Sequence, residues 1–129
     1  MAKIKLGEKP ATFAPFPVKF KMPDGSEGVI SVTYKYRDRE EFGAFQNEML
    51  KGTDAQSAIG EDGKLDYEKL YKQVGSSNAD SLLGCVQAWD MDYDLTREVL
   101  QQFAREIPAG VVAMMQAYDL ACTQGRLGN

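Results

Sequence analysis

Histidine is absent from all 129 residues. Its absence removes the commonest general base and the commonest metal ligand together. Cysteine is scarce: Cys85 and Cys122 lie far apart, form no CxxC pair and have no histidine with which to complete a zinc site. Two unpaired thiols suit a reducing cytoplasm. No apolar run approaches the roughly 20 residues that cross a bilayer. Met1 to Gly7 alternates lysine with apolar residues and so lacks the apolar stretch of a secretory leader. These absences predict an intracellular chain with no membrane partner. An excess of positive charge is missing as well. The net charge of −4 argues against a nucleic-acid partner, which needs a basic face.

What is present is an ordinary globular composition, 43% hydrophobic and 26% charged. The length points to a single domain over residues 1–129 that can bury roughly two thirds of its extended-chain surface. The charge is uneven. Residues 1–37 hold seven basic against three acidic side chains, +4, and the rest hold eight against sixteen, −8. Such a split reads either as differing solvated faces or as a basic arm that meets an acidic body, on a neighbouring subunit for example.

Pro10, Pro15 and Pro17 keep residues 1–17 out of a helix, as an extended arm bearing Phe13 and Phe16. Val18–Met22 and Val29–Tyr36 alternate apolar and polar residues around Pro23-Asp24-Gly25-Ser26, which predicts a hairpin over about 18–36. The period changes at Asp38. Phe42, Phe45 and Met49 form a helical stripe capped by Asp38 and stopped at Gly52. Residues 52–63 read as a loop. Tyr67, Leu70, Tyr71 and Val74 predict a second helix ended by Gly75. Ser77-Asn78-Ala79-Asp80 has capping-box character and predicts a third, with Leu82, Leu83, Val86 and Trp89. Leu95, Val99, Phe103 and Ile107 mark a fourth, begun near Asp94 or Thr96. Pro108 opens a fifth, which Gly125 ends. The expected fold is α+β, mainly α: an N-terminal hairpin followed by about five helices.

Few residues invite chemistry. Asp90, Asp92 and Asp94 fit positions 1, 3 and 5 of a calcium loop, but Leu95 replaces the turn glycine and Gln101 the bidentate glutamate. Gly60-Glu-Asp-Gly63 lacks the Gly-Lys-Ser/Thr ending of a phosphate loop and reads as a turn. Cys85 and Cys122 sit among apolar residues, as core thiols do. Glu40 and Glu41 look solvated. The expectation is no catalysis, no cofactor and no metal. Adhesive features remain: the aromatic arm, a hairpin with strand edges, and amphipathic helices, the usual means of capturing another chain. Phe13, Phe16, Trp89, Met114, Met115 and Tyr118 are the candidate protein-binding residues. Trp89 also reads as a core anchor and Met114-Met115 as core filling.

The chain resembles the tail assembly chaperones of long-tailed bacteriophages and prophages. The likeness lies in the opening Met-Ala-Lys-Ile-Lys-Leu, the Phe-Pro arm, and residues 32–45, Val-Thr-Tyr-Lys-Tyr-Arg-Asp-Arg-Glu-Glu-Phe-Gly-Ala-Phe. It continues through Val86-Gln-Ala-Trp-Asp90, Leu95-Thr-Arg-Glu-Val-Leu100, Ile107-Pro-Ala-Gly-Val, Ala117-Tyr118 and the ending Gly-Arg-Leu-Gly-Asn, and is weakest over residues 52–76. The resemblance implies a protein of the host cytoplasm that coats the tape-measure protein, keeps it soluble, helps recruit tail-tube subunits and is absent from the mature virion. The arm and the charge split add a homo-oligomer to the expected partners. A secretion-type chaperone holding an extended client and a structural tail component are the alternative readings.

Overall fold

The computed structural model describes residues 3–51 and 58–128. Its elements run β1 (Phe16–Lys21), β2 (Glu27–Tyr34), α1 (Arg39–Leu50), α2 (Tyr67–Cys85), β3 (Val86–Trp89), α3 (Arg97–Glu106) and α4 (Pro108–Gln124). The strands form one antiparallel sheet in the order β1-β2-β3. The expected α+β class is therefore present, with the hairpin where the alternation put it. Val18 faces Ile30 and Phe16 faces Val32. The turn closes through Met22 N–H to the Ser26 carbonyl at 2.8 Å, with Gly25 at φ 87°, a value that favours glycine. The arm continues this pairing. Thr12 bridges Lys35, and Phe13 N–H donates to the Tyr34 carbonyl at 3.0 Å.

One face of the sheet is apolar and covered. Phe16, Val18, Ile30, Val32, Tyr34 and Val86 point into a core completed by Phe42, Leu82, Leu100, Phe103, Val111, Met114 and Tyr118. The other face carries Lys19, Lys21, Glu27 and Val29 and is exposed, the alternation of a half-solvated antiparallel sheet.

Helix ends follow local chemistry where it is strong. Asp38 caps α1 by accepting the Glu41 N–H while the Glu41 side chain accepts the Asp38 N–H. Gly52, expected to stop α1, lies outside the described residues, as do residues 52–57 of the loop expected over 52–63. Thr96, rather than Asp94, caps α3 by accepting the Val99 N–H at 3.2 Å. Pro108 opens α4, and Gly125 closes it in the left-handed region at φ 67°.

Two expectations are corrected. The described residues contain four helices, not five, because the second and third predicted helices are one, α2. Gly75 does not stop it, and Ser77–Asp80 is interior rather than a capping box. An interior glycine costs about 1 kcal/mol. Docking on α3 offsets that cost: the Gln101 amide donates to the Ser76 hydroxyl at 3.1 Å, and Arg97 pairs with Asp80 at 2.8 Å. The second correction is at Val86–Trp89, expected as the end of a helix. These residues are β3, and α2 gives way to the strand at Val86 with φ −87° and ψ 124°. Backbone pairing with β2 places Trp89 opposite Val32.

Candidate protein-binding surfaces

The candidate residues divide between core and surface. Phe16, Met114 and Tyr118 are buried. Phe16 stacks on Tyr34 and Tyr34 on Tyr118, with ring centroids 5.5 and 5.0 Å apart. Phe13 reaches the same cluster, edge-on to Tyr118 at 6.4 Å and against Tyr36 at 5.1 Å. Their polar ends are satisfied internally. The Tyr34 hydroxyl donates to the Met114 carbonyl at 2.6 Å, and the Tyr118 hydroxyl donates to the Lys35 carbonyl at 3.0 Å. Arg37 donates to the Tyr118 oxygen and the Gly84 carbonyl and lies over the Phe45 ring. Burial raises the ionisation of both tyrosines above the ordinary phenol range. A Cβ at Gly84 would stand 2.7 Å from the Phe45 ring, so glycine lets α1 settle against the end of α2.

Both cysteines are buried. Burial pushes the Cys85 thiol up to about 12 and raises Cys122 as well. Thiols held protonated at neutral pH are poor nucleophiles. Among the described residues no cluster of three or more His, Cys, Asp or Glu side chains is placed to hold a metal. Asp90 instead ties β3 to the hairpin, its carboxylate accepting the Ser31 N–H at 2.9 Å.

Trp89 is half-buried. Its indole N–H donates to the Tyr93 carbonyl at 2.9 Å, and its ring meets Phe103 edge-on at 6.4 Å. Beside it opens a shallow groove of about 110 Å³, with an apolar floor of Met91, Tyr93, Val99, Phe103 and Ile107 and polar flanks from Gln102 and Glu106. The floor exists because Gly110 admits the Phe103 ring: a Cβ there would lie 2.5 Å from it. Asp92 and Asp94 flank Tyr93 in the chain and are exposed, and Glu106 lines the groove, so acidic residues lie close to it. Met115 is half-buried against the core from α4.

A second apolar surface lies on α2. The contacts at Ser76–Gln101 and Asp80–Arg97 bind its second half to α3. The first half runs past that contact. There Tyr67 and Tyr71 are 62% and 67% exposed with rings 6.3 Å apart, and Val74 and the preceding Leu65 are exposed too. Sequence reasoning found this stripe as a helix face but not as a surface, and it missed the groove at Met91 and Tyr93. The usable signal was residue type. Tyrosine rather than leucine at two successive stripe positions suits a face that is half wet.

Fold and surfaces together describe a small α+β protein whose exposed features are apolar contact faces, and no described helix is long and apolar enough to cross a membrane. The model of one family, described as phage tail assembly chaperone, matches residues 1–129, so residues 52–76 are included, and the chain belongs to that family. Membership implies a chaperone's non-enzymatic role and interaction with tail proteins during assembly in the host. No curated protein and no solved structure matches the chain.

Proposed function

We propose that this protein binds the tape-measure protein in the host cytoplasm, keeps it soluble, helps recruit tail-tube subunits and leaves before the virion matures. The observation that carries the reading is the exposed stripe of Tyr67, Tyr71 and Val74 on the first half of α2. A helix face of this kind takes an amphipathic helical client at i, i+4 and i+7 spacing. A long client displaying apolar stripes aggregates until it is sheathed. Many small acidic subunits along it would cover the stripes and add repulsion between coated chains. Each contact should be weak, because the coat is displaced later, and avidity along one client supplies the holding strength. Phe13, Trp89 and Met115 have partly open surfaces that extend the contact. Phe16, Met114 and Tyr118 support it from the core.

Co-expression with the tape-measure protein tests the reading. We expect the client in the soluble fraction, co-purifying with this chain. A client equally soluble without the chain, with no co-purification, would overturn it and leave a structural tail role as the better account.

A further inference from the structure

The groove beside Trp89 has a complement within the same sequence. Asp92 and Asp94, which flank Tyr93 in the chain, and Glu98, which precedes Val99, have no cation within ion-pair distance among the described residues, and the groove's own Glu106 meets only its neighbour Arg105 at 3.8 Å. The arm before the sheet has the opposite character. Lys3, Ile4, Lys5 and Leu6 alternate basic and apolar side chains, and Ile4 and Leu6 are 91% and 93% exposed. Leaving two large aliphatic side chains in water without a partner is unfavourable by the apolar area involved. The groove, at about 110 Å³, is on the scale of one such side chain, since cavities of roughly 150 Å³ admit benzene.

The arm is anchored at the end of α4 opposite the groove. Lys9 is held by Asp38 at 3.2 Å and Glu41 at 3.3 Å at the start of α1. That start is tied to the end of α4 by Arg39, which donates to the Thr123 carbonyl at 2.7 Å. The groove lies at Ile107, at the other end of α4, about 24 Å away along the helix axis.

We propose that the arm of one copy docks in the groove of a second copy, seating Ile4 or Leu6 against Tyr93 and Phe103 with Lys3 and Lys5 among Asp92, Asp94, Glu98 and Glu106. The contact needs no client, so it is measured on the full chain alone. Sedimentation at low salt should show self-association, as a dimer or a longer series. Ile4→Asp with Leu6→Asp should weaken it about tenfold or more, and about 1 M salt, which cuts the Debye length to about 3 Å, should weaken it further. These side chains contact almost nothing in the fold, so the melting temperature should hold.

A charge exchange gives the sharper outcome. One variant carries Lys3→Glu and Lys5→Glu; another carries Asp92→Lys, Asp94→Lys, Glu98→Lys and Glu106→Lys. Each alone should remain monomeric, whereas their mixture should associate, because each arm then faces a groove of opposite sign. A wild-type monomer at low salt and high concentration overturns the proposal. So does association that the arm variant leaves intact, or a mixture of exchanged variants that stays monomeric.

Discussion

Two tyrosine pairs set the two regions of this molecule against each other. Tyr34 and Tyr118 stack at 5.0 Å inside the sheet–α4 contact, and both hydroxyls are bonded to backbone carbonyls. Tyr67 and Tyr71 lie 6.3 Å apart on the outer face of α2, more than half exposed. The side chains are chemically identical and their consequences differ. The first pair joins β2 to α4, with Phe42 and Phe45 of α1 standing edge-on to Tyr118 at 5.4 and 6.1 Å. Its apolar area and its polar ends are both engaged within the chain. The second pair holds its area open to a partner. A protein that acts by contact needs both: a core that fixes its shape and a face that the core does not consume.

The largest expected effect is in the core. Phe103 packs against Phe20, Trp89 and Gly110, so Phe103→Ala should cost about 3–5 kcal/mol, read as a drop in the denaturation midpoint at unchanged slope. A loss below about 1 kcal/mol would place Phe103 with the open residues and break the contrast. Alkaline pH should act next. The Cys85 thiol ionises at its ordinary 9.0 when unfolded but is pushed up to about 12 in the fold. Over that window the unfolded state binds fewer protons, so stability is full below pH 9 and falls as pH rises towards 12. The buried tyrosines, also raised, extend the loss above pH 10.0. Cys85→Ala should flatten the decline between pH 9 and 12, seen in melts across pH. An equal slope in wild type and variant would assign the decline to other groups.

Tyr118→Phe sharpens the contrast from its polar side. It removes the donor to the Lys35 carbonyl and the acceptor for Arg37 and leaves the ring stack in place. Stranding a partly buried donor and acceptor should cost about 1–3 kcal/mol. Equilibrium unfolding checks it, and an unchanged midpoint would mean that solvent satisfies both groups.

Much of the fold was legible because local signals agreed. Alternation on both sides of Pro23-Asp24-Gly25-Ser26 marked the hairpin, Asp38 marked α1, and Pro108 with Gly125 bounded α4. Where the reading failed, tertiary contact had outweighed a local signal. Gly75 looks like a stop, yet α3 holds the helix together across it. Four residues are too few to display a period, and Val86 and Trp89, three apart, fit a helix row but would fall on opposite faces of a regular strand; only the pairing with β2, with its register shift between Thr33 and Tyr34, made β3 visible. The surfaces were less legible for a related reason. Large aromatic and methionine side chains serve cores and contacts alike, so Phe16, Met114 and Tyr118 could not be told from open residues. The groove and the α2 stripe are defined by what does not pack on them, which no run of sequence displays.

The smallest expected effect on stability tests the other half of the contrast. Tyr67→Gln, Tyr71→Gln and Val74→Gln together replace the open stripe with a good helix former. Surface changes away from buried contacts usually stay within about 0.5 kcal/mol each, so the three together should move the melting temperature by less than about 6 °C. Glu68 with Lys72 at 3.4 Å and the Asp66 cap remain to support the same turns. Binding should respond quite differently: co-expressed tape-measure protein should leave the soluble fraction although the variant is folded and abundant. A melting loss of many degrees would show that the stripe packs within the chain, and the contrast between the tyrosine pairs would collapse. An unchanged melt with full client solubility would instead move the client to another face, with the partly open Trp89 corner the next to be altered. Only the combination of intact fold and lost client ties the open tyrosines to the chaperone role.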